Sequence, residues 1–252
     1  MPMPVFSIIN GGDLSFSPLQ VQEVTAMFVE ASTFEEALEC GSRLQRQVLA
    51  TLSASGYKYI NSGLAGGLAP QIETVVDAMT IAKEAAAKLN LDSSCKLGLD
   101  LCAYKLVEAK TEGNEFEEGE GNENRNDGIN ERSDRLILYN TSKWNKSLAA
   151  VQKSGEEMIE LYFDWLGRGM GLVSLQDPFH INDDESFFRF KERLDAEIER
   201  AAAKDCGENE RAQSEDAFED PVIAFECIGN DHSCQLQIIG NSLCTTGDDM
   251  DR

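Results

Sequence analysis

Positive charge is scarce in this chain. Its 252 residues carry 22 lysines and arginines against 45 aspartates and glutamates, a formal net charge of −23. A surface of that sign repels phosphate backbones and anionic lipid, so neither nucleic acid nor a membrane is an expected partner. Histidine is scarcer still: His180 and His232 stand far apart, and no zinc-type spacing exists. The seven cysteines form no C-x-x-C pair. Their odd number points to free thiols in a reducing, cytoplasmic compartment. No apolar run approaches the length that spans a bilayer. The opening "MPMPVFSIIN" has no basic stretch leading into an apolar one, so no secretory signal is expected.

Two tracts are nearly free of aliphatic residues. Glu112–Asp134, "EGNEFEEGEGNENRNDGINERSD", and Asp205–Asp220, "DCGENERAQSEDAFED", are acidic and rich in small polar residues. Neither can bury enough apolar area to offset its ordering entropy, so both read as disordered insertions (112–134 and 205–220) within one domain, 1–252. The rest is regular. Val5–Ile9 and Gln22–Val29 read as strands. Ser32 and Glu35 suggest a capping box opening a helix whose apolar face uses Phe34, Leu38, Leu44, Val48 and Leu52. A second helix is expected over Gln71–Leu89, and a strand over Lys96–Leu101. Ser154 and Glu157 form another capping box, before a stripe of Met158, Leu161, Tyr162 and Trp165. Gly171–Phe179 reads as a strand running into a loop, Asp183 or Asp184 as the cap of a helix to about Ala203, and Val222–Cys227 and Gln235–Ile239 as later strands. The order β-β-α-α followed by β-α units suggests an α/β fold with parallel barrel strands, where chemistry collects at the C-terminal strand ends.

Polar residues at those ends are Gln22 and Glu23, Asp100, Gln176 and Asp177, and Asn241. Alone they are a weak constellation, and the plainer reading is that they cap loops. Between the first two helices lies "INSGLAGGLAP", Ile60–Pro70, a glycine-rich loop without a charge. Such a loop either cradles an anion or is the frame of a site without its working side chains.

Taken together, these segments resemble the barrel domain of enolase. "PVFSIINGG" is similar to that family's P-x-F-N-I-I-N-G-G, and Gln22-Glu23 falls on its M-Q-E-F. "TFEEALECGSRL" is similar to S-F-R-E-A-M-R-I-G-A-E-V, "SGLAGGLAPQI" to G-D-E-G-G-F-A-P-x-I, and "LGLDLCAY" to I-G-M-D-V-A-A-S. "SGEEMIELYFDWL" follows S-x-x-Q-L-I-x-L-Y-x-x-x-I, "VSLQDPFHINDDESFFRF" follows V-S-I-E-D-P-F-x-x-D-D-W-x-x-W, and "QIIGNSL" follows Q-V-V-G-D-D-L. The resemblance implies a partial enolase-type TIM barrel. The family dehydrates 2-phosphoglycerate to phosphoenolpyruvate with magnesium, a lysine base and a glutamate acid.

The same resemblance locates departures. The family's three metal-binding carboxylates fall on Asp100, Gln176 and Asn241, so one survives and the ligand charge drops from about −3 to −1, which magnesium tolerates poorly. The acid falls on Ala65 and its neighbouring aspartate on Leu64, while Gly66 and Gly67 are kept. A family histidine falls on Leu14, and Glu23 is retained. The family's mobile-lid domain would precede Met1, and its lysine and phosphate-binding segments would follow Arg252. The resulting expectation is a non-catalytic, enolase-like structural or interaction protein with no cofactor. The alternative is a phosphopyruvate hydratase, or part of a split or longer one, using Mg²⁺; a third reading, a decayed copy without function, stays open. An unclosed barrel is expected to expose Val5–Ile9 and Gln235–Ile239 as edges, which a protein partner, an oligomer or the extra strand Val222–Cys227 would cover.

Overall fold

Alternate positions of the central strands are apolar, and that alternation splits one sheet into two faces. The computed structural model describes residues 2–107, 137–208, 223–228 and 233–238, with side chains through Arg200. In chain order the elements are β1 (Phe6–Asn10), β2 (Glu23–Phe28), α1 (Phe34–Ala54), β3 (Asn61–Ser62), β4 (Leu68–Ala69), α2 (Val75–Lys88) and β5 (Cys95–Asp100). They continue with β6 (Tyr139–Asn140), β7 (Gln152–Lys153), α3 (Gly155–Leu166), β8 (Leu172–Gln176), α4 (Asp184–Glu208), β9 (Ile223–Ile228) and β10 (Ser233–Ile238). Val24, Ala26, Phe28, Cys95, Leu97, Leu99 and Leu175 are at most 3% exposed and join one core with the apolar stripes of the helices. On that side α1 packs on β1, β2 and α2, α2 on β5, and α3 on β8 and α4.

The sheet runs β3-β4-β1-β2-β5-β8-β10-β9 and does not close among the described residues. It is an incomplete α/β barrel. The β4–β1 and β5–β8 pairs are parallel, as expected of a barrel. Other pairings depart from the all-parallel expectation: β2 is antiparallel to both β1 and β5, and β10 is antiparallel to β8 and β9. The first follows from connectivity, since the short link from β1 to β2 has no crossover helix and returns the chain the opposite way. The expected open edges are also corrected. β1 is flanked by β2 and β4, and β10 by β8 and β9, so the extra strand does cover its neighbour.

Local signals are shifted in places. The cap of α1 is Thr33, which accepts from the Glu36 amide at 3.2 Å while Glu36 accepts from Ser32 N–H at 2.8 Å, one residue later than the Ser32–Glu35 pairing. Phe34 and Leu38, expected inward, are 55% and 46% exposed, because the buried face of α1 starts at Ala37 and Gly41. Gly41 lies against the Phe6 ring, where a Cβ would come within 2.8 Å, so β1 approaches α1 closely there. Thr74 caps α2, so this helix begins at Val75 and Ile72 is buried ahead of it. The Ser154–Glu157 capping box is present in both directions, and Asp183 is the residue that accepts from the Ser186 amide ahead of α4. Behind these caps Tyr162, fully buried, sits against Trp165, Phe179 and Phe190 at centroid distances of 5.6–5.8 Å. Its hydroxyl donates to Pro178 O at 2.6 Å. The tract 112–134 lies outside the described residues, as does 209–220 of the second tract; α4 extends through Glu208, four residues into that tract.

Candidate functional site

The strand ends meet in one row. Asn10 pairs with Glu23, Glu23 with Asp100, Asp100 with Gln176, and Gln176 with Gln235. Residues directly opposed in a sheet share a face, so Asn10, Glu23, Asp100 and Gln176 all project from the side away from the helices. Thr25, Gly98 and Ser174 form the next row on that face. A Cβ on Gly98 would come within 2.6 Å of Thr25 Oγ1 and 3.2 Å of Ser174 Cβ. Three of the residues that the sequence singles out, Glu23, Asp100 and Gln176, are therefore neighbours. Asn241 lies outside the described residues.

Past the row, two loops fold over Asp100. Cys102 (φ 41°) and Asp177 (φ 48°) both adopt left-handed backbone immediately after β5 and β8. Asp100 Oδ1 accepts from the Cys102 amide and from its thiol, each at 3.2 Å. Ligand atoms of Asp100, Cys102 and Asp177 lie within 4.8 Å of one another, and all three residues are partly buried. Desolvation raises the Asp100 carboxyl to about 6; the two bonds from Cys102 oppose this, and the like charges of Asp177 and Glu23 add to it. Desolvation also raises Asp177. The Cys102 thiol is pushed up by burial and then by the Asp100 charge, which keeps it protonated near neutrality. Among the described residues Lys105, the nearby cation, is paired with Asp13 at 3.0 Å, and Trp144 Nε1 donates to the same aspartate at 2.8 Å. Cys102 was missed in the sequence. The signal for it was an Asp-x-Cys spacing at a strand end, which reads as ordinary until the left-handed turn brings thiol and carboxylate together.

The glycine loop stands on the same row through Asn10. Gly67 N–H donates to Asn10 Oδ1 at 3.1 Å, and Gly63 N–H donates to Gly67 O at 2.8 Å. A Cβ at Gly63 would lie 2.4 Å from Asn10 Oδ1 and 2.5 Å from Asn10 Cβ; at Gly67 it would lie 2.9 Å from Ser7 Oγ. These glycines are needed for close approach. The tip carries Leu64, which is 84% exposed, with Ala65 and Gly66 (φ 85°), also exposed. Leu64 N–H donates to Leu14 O, and Gln45 Nε2 holds Gly66 O, each at 2.8 Å. Leu14, Phe16 and Leu64 border a cavity of about 380 Å³ together with Asp13, Asn61 and Gln71. Gln22 turns away from Glu23. Its Oε1 accepts from the Asp13 amide at 3.1 Å, and its buried Nε2 has no partner among the described residues.

Helices behind a sheet whose strands end in one polar row, with loops crowding that end, define an α/β-barrel domain with its site at the strand-end mouth. The family model "Enolase, C-terminal TIM barrel domain" matches residues 1–205, and the chain belongs to the enolase family. It is 27% identical over 186 residues to cytosolic enolase 3 of Arabidopsis thaliana, an alignment covering 73% of this chain and 34% of that protein. It is 27% identical over 205 residues to the enolase of Corynebacterium kroppenstedtii, covering 81% and 44% respectively. With enolase 2 of Hevea brasiliensis it shares 25% over 200 residues, covering 79% and 39%. The chain thus spans less than half the length of these relatives.

Magnesium, which the family implies, does not fit the described donors. Mg²⁺ takes six hard oxygen ligands and depends on anionic ones. Here Gln176, beside Asp100 in the sheet, is neutral, and Asp100 Oδ1 already accepts two hydrogen bonds, one of them from a thiol. A thiol is a poor partner for so hard a cation.

Proposed function

We propose that this chain is a non-catalytic member of the enolase family that serves as a structural or interaction protein. The observation that carries the reading is the loop at Ile60–Pro70. Its frame is kept to the point of close contact between Gly63, Gly67 and Asn10, while the tip that would present acids presents Leu64 and Ala65. A protein that retains a loop's shape without its proton donor retains the fold and lacks the chemistry. Each missing transition-state contact raises a barrier by about 2–4 kcal/mol. Losses at Leu64, Ala65 and Gln176 together therefore remove useful turnover, even without full additivity. The mouth instead offers Phe16 and Leu64, 96% and 84% exposed, as a contact face for a protein partner or a second copy. Among the described residues no helix is long and apolar enough to cross a membrane. The Arabidopsis relative is named as cytosolic, and we assign this chain to the cytoplasm as well. The test is direct: protein, 2-phosphoglycerate and Mg²⁺ are mixed, and phosphoenolpyruvate absorbance is followed. No turnover is expected. Turnover at roughly a hundredth of an ordinary enolase's rate, about 2.7 kcal/mol of barrier, overturns the reading.

A second reading is favoured by the grouping of Glu23, Asp100 and Asp177, which keeps three carboxylates at one mouth. In it the chain is part of a longer or split phosphopyruvate hydratase whose other groups come from elsewhere. Calorimetry separates the two. Magnesium binding at micromolar concentration supports the lyase, and an absence of heat supports the non-catalytic protein.

A further inference from the structure

The mismatch with magnesium has a positive side. We propose that Asp100, Cys102 and Asp177 form a site for a thiophilic divalent cation of the zinc or cobalt class, held by one thiolate and two carboxylates with water completing the shell. This goes beyond the non-catalytic reading and does not depend on it, since binding such a cation restores neither an acid at Ala65 nor a carboxylate at Gln176.

Geometry is the first argument. The three ligand atoms lie within 4.8 Å of one another. Bonds of about 2.3 Å to sulfur and about 2.0–2.2 Å to oxygen, at tetrahedral angles, place the two ligand atoms about 3.5 Å apart. Cys102 Sγ and Asp100 Oδ1 already stand 3.2 Å apart. Charge is the second. Glu23 and Asp100 are partly buried neighbours in the sheet, Asp177 is partly buried in the loop beside them, and among the described residues none of the three has an ion-pair partner; Lys105 is engaged by Asp13. Partly buried carboxylates without a cation are costly, and buried charges are ordinarily paired or coordinate metals. Donor type is the third. A thiolate beside carboxylates selects zinc-class ions over magnesium, because the softer ligand favours the later first-row metals. The step balances simply. The cation replaces the proton shared between Cys102 Sγ and Asp100 Oδ1, a metal–sulfur bond forms, the S–H bond breaks, and one proton leaves to water.

Cobalt(II) is the probe. The full chain, stripped with a chelator, is titrated with Co²⁺, and the sulfur-to-cobalt charge-transfer absorption in the near ultraviolet is recorded. The band is expected to saturate at one equivalent, to bleach on adding equimolar Zn²⁺, and to persist in a roughly thousandfold excess of Mg²⁺. It is expected to vanish in Cys102→Ser and to survive in Cys40→Ser. Asp177→Asn is expected to weaken cobalt binding at least about tenfold while leaving far-ultraviolet circular dichroism unchanged. Absence of the band, its survival in Cys102→Ser, its loss to magnesium, or unchanged affinity in Asp177→Asn overturns the proposal.

Discussion

The two faces of the central sheet differ in what they preserve. On the helix side Val24, Ala26, Leu97, Leu99 and Leu175 follow strict alternation and are 2% exposed or less. On the other side Glu23, Asp100 and Gln176 line up in register but remain partly exposed, two carboxylates and a neutral amide. The helix side is fixed by packing density, where removal of a few methylenes costs several kcal/mol. The mouth side contributes little to packing, so side chains there change without unmaking the fold. The difference teaches that fold and chemistry are carried by separate residues of the same strands, one position apart.

The largest effect that would break this comparison belongs to the helix side. Tyr162→Ala empties the centre of the aromatic cluster between α3 and α4, and a loss of about 3–5 kcal/mol in denaturant unfolding is expected. A small effect would mean that the core is looser than its burial indicates. Gly63→Ala comes next. Its Cβ meets Asn10 at 2.4–2.5 Å, and about 1–3 kcal/mol of destabilisation is expected, since backbone and Asn10 must both shift.

Asp100→Asn sharpens the mouth side. The folded carboxyl titrates at about 6 against an unfolded value of 3.8, so the folded state binds the proton more tightly. Stability then falls as pH rises through the window from about 4 to 6, and the penalty is complete above it. With metal removed, Asp100→Asn is expected to stabilise the protein by about 1–3 kcal/mol at pH 8 and by almost nothing at pH 4, measured by urea unfolding at both values. Equal effects at the two pH values would contradict the assigned environment. Leu64→Ala is the smallest. With the side chain 84% exposed, a change within about 0.5 kcal/mol in thermal unfolding is expected, the mark of a residue that supports contacts rather than fold.

Much of the architecture was legible from periodicity. The strand running into a loop within Gly171–Phe179, observed as Leu172–Gln176, the Ser154–Glu157 box and the buried Met158, Tyr162 and Trp165 are local patterns that tertiary packing confirms. Boundaries were less legible. Thr33 and Ser32 are equally good caps by type, and only the direction of the chain entering α1 selects Thr33. Phe34 and Leu38 fit a helical stripe but face water, because a stripe defines a face and not which neighbour covers it. At the site, Glu23, Asp100 and Gln176 could be named from strand ends and family motifs. Their register could not, because pairing joins residues that are tens of positions apart.

The sequence by itself determined an acidic α/β chain whose motifs resemble enolase, and that resemblance sets Leu64, Ala65 and Gln176 on positions where the family carries acidic groups. Those statements depend on residue identity, on spacing and on that resemblance. The tertiary structure decided that β2 runs against both its neighbours, that β1 and β10 are flanked on both sides, and that Cys102 turns back onto Asp100 beside Asp177. These depend on backbone direction and long-range pairing, in which two left-handed residues after two strands accompany separate loops whose side chains come within 4.8 Å.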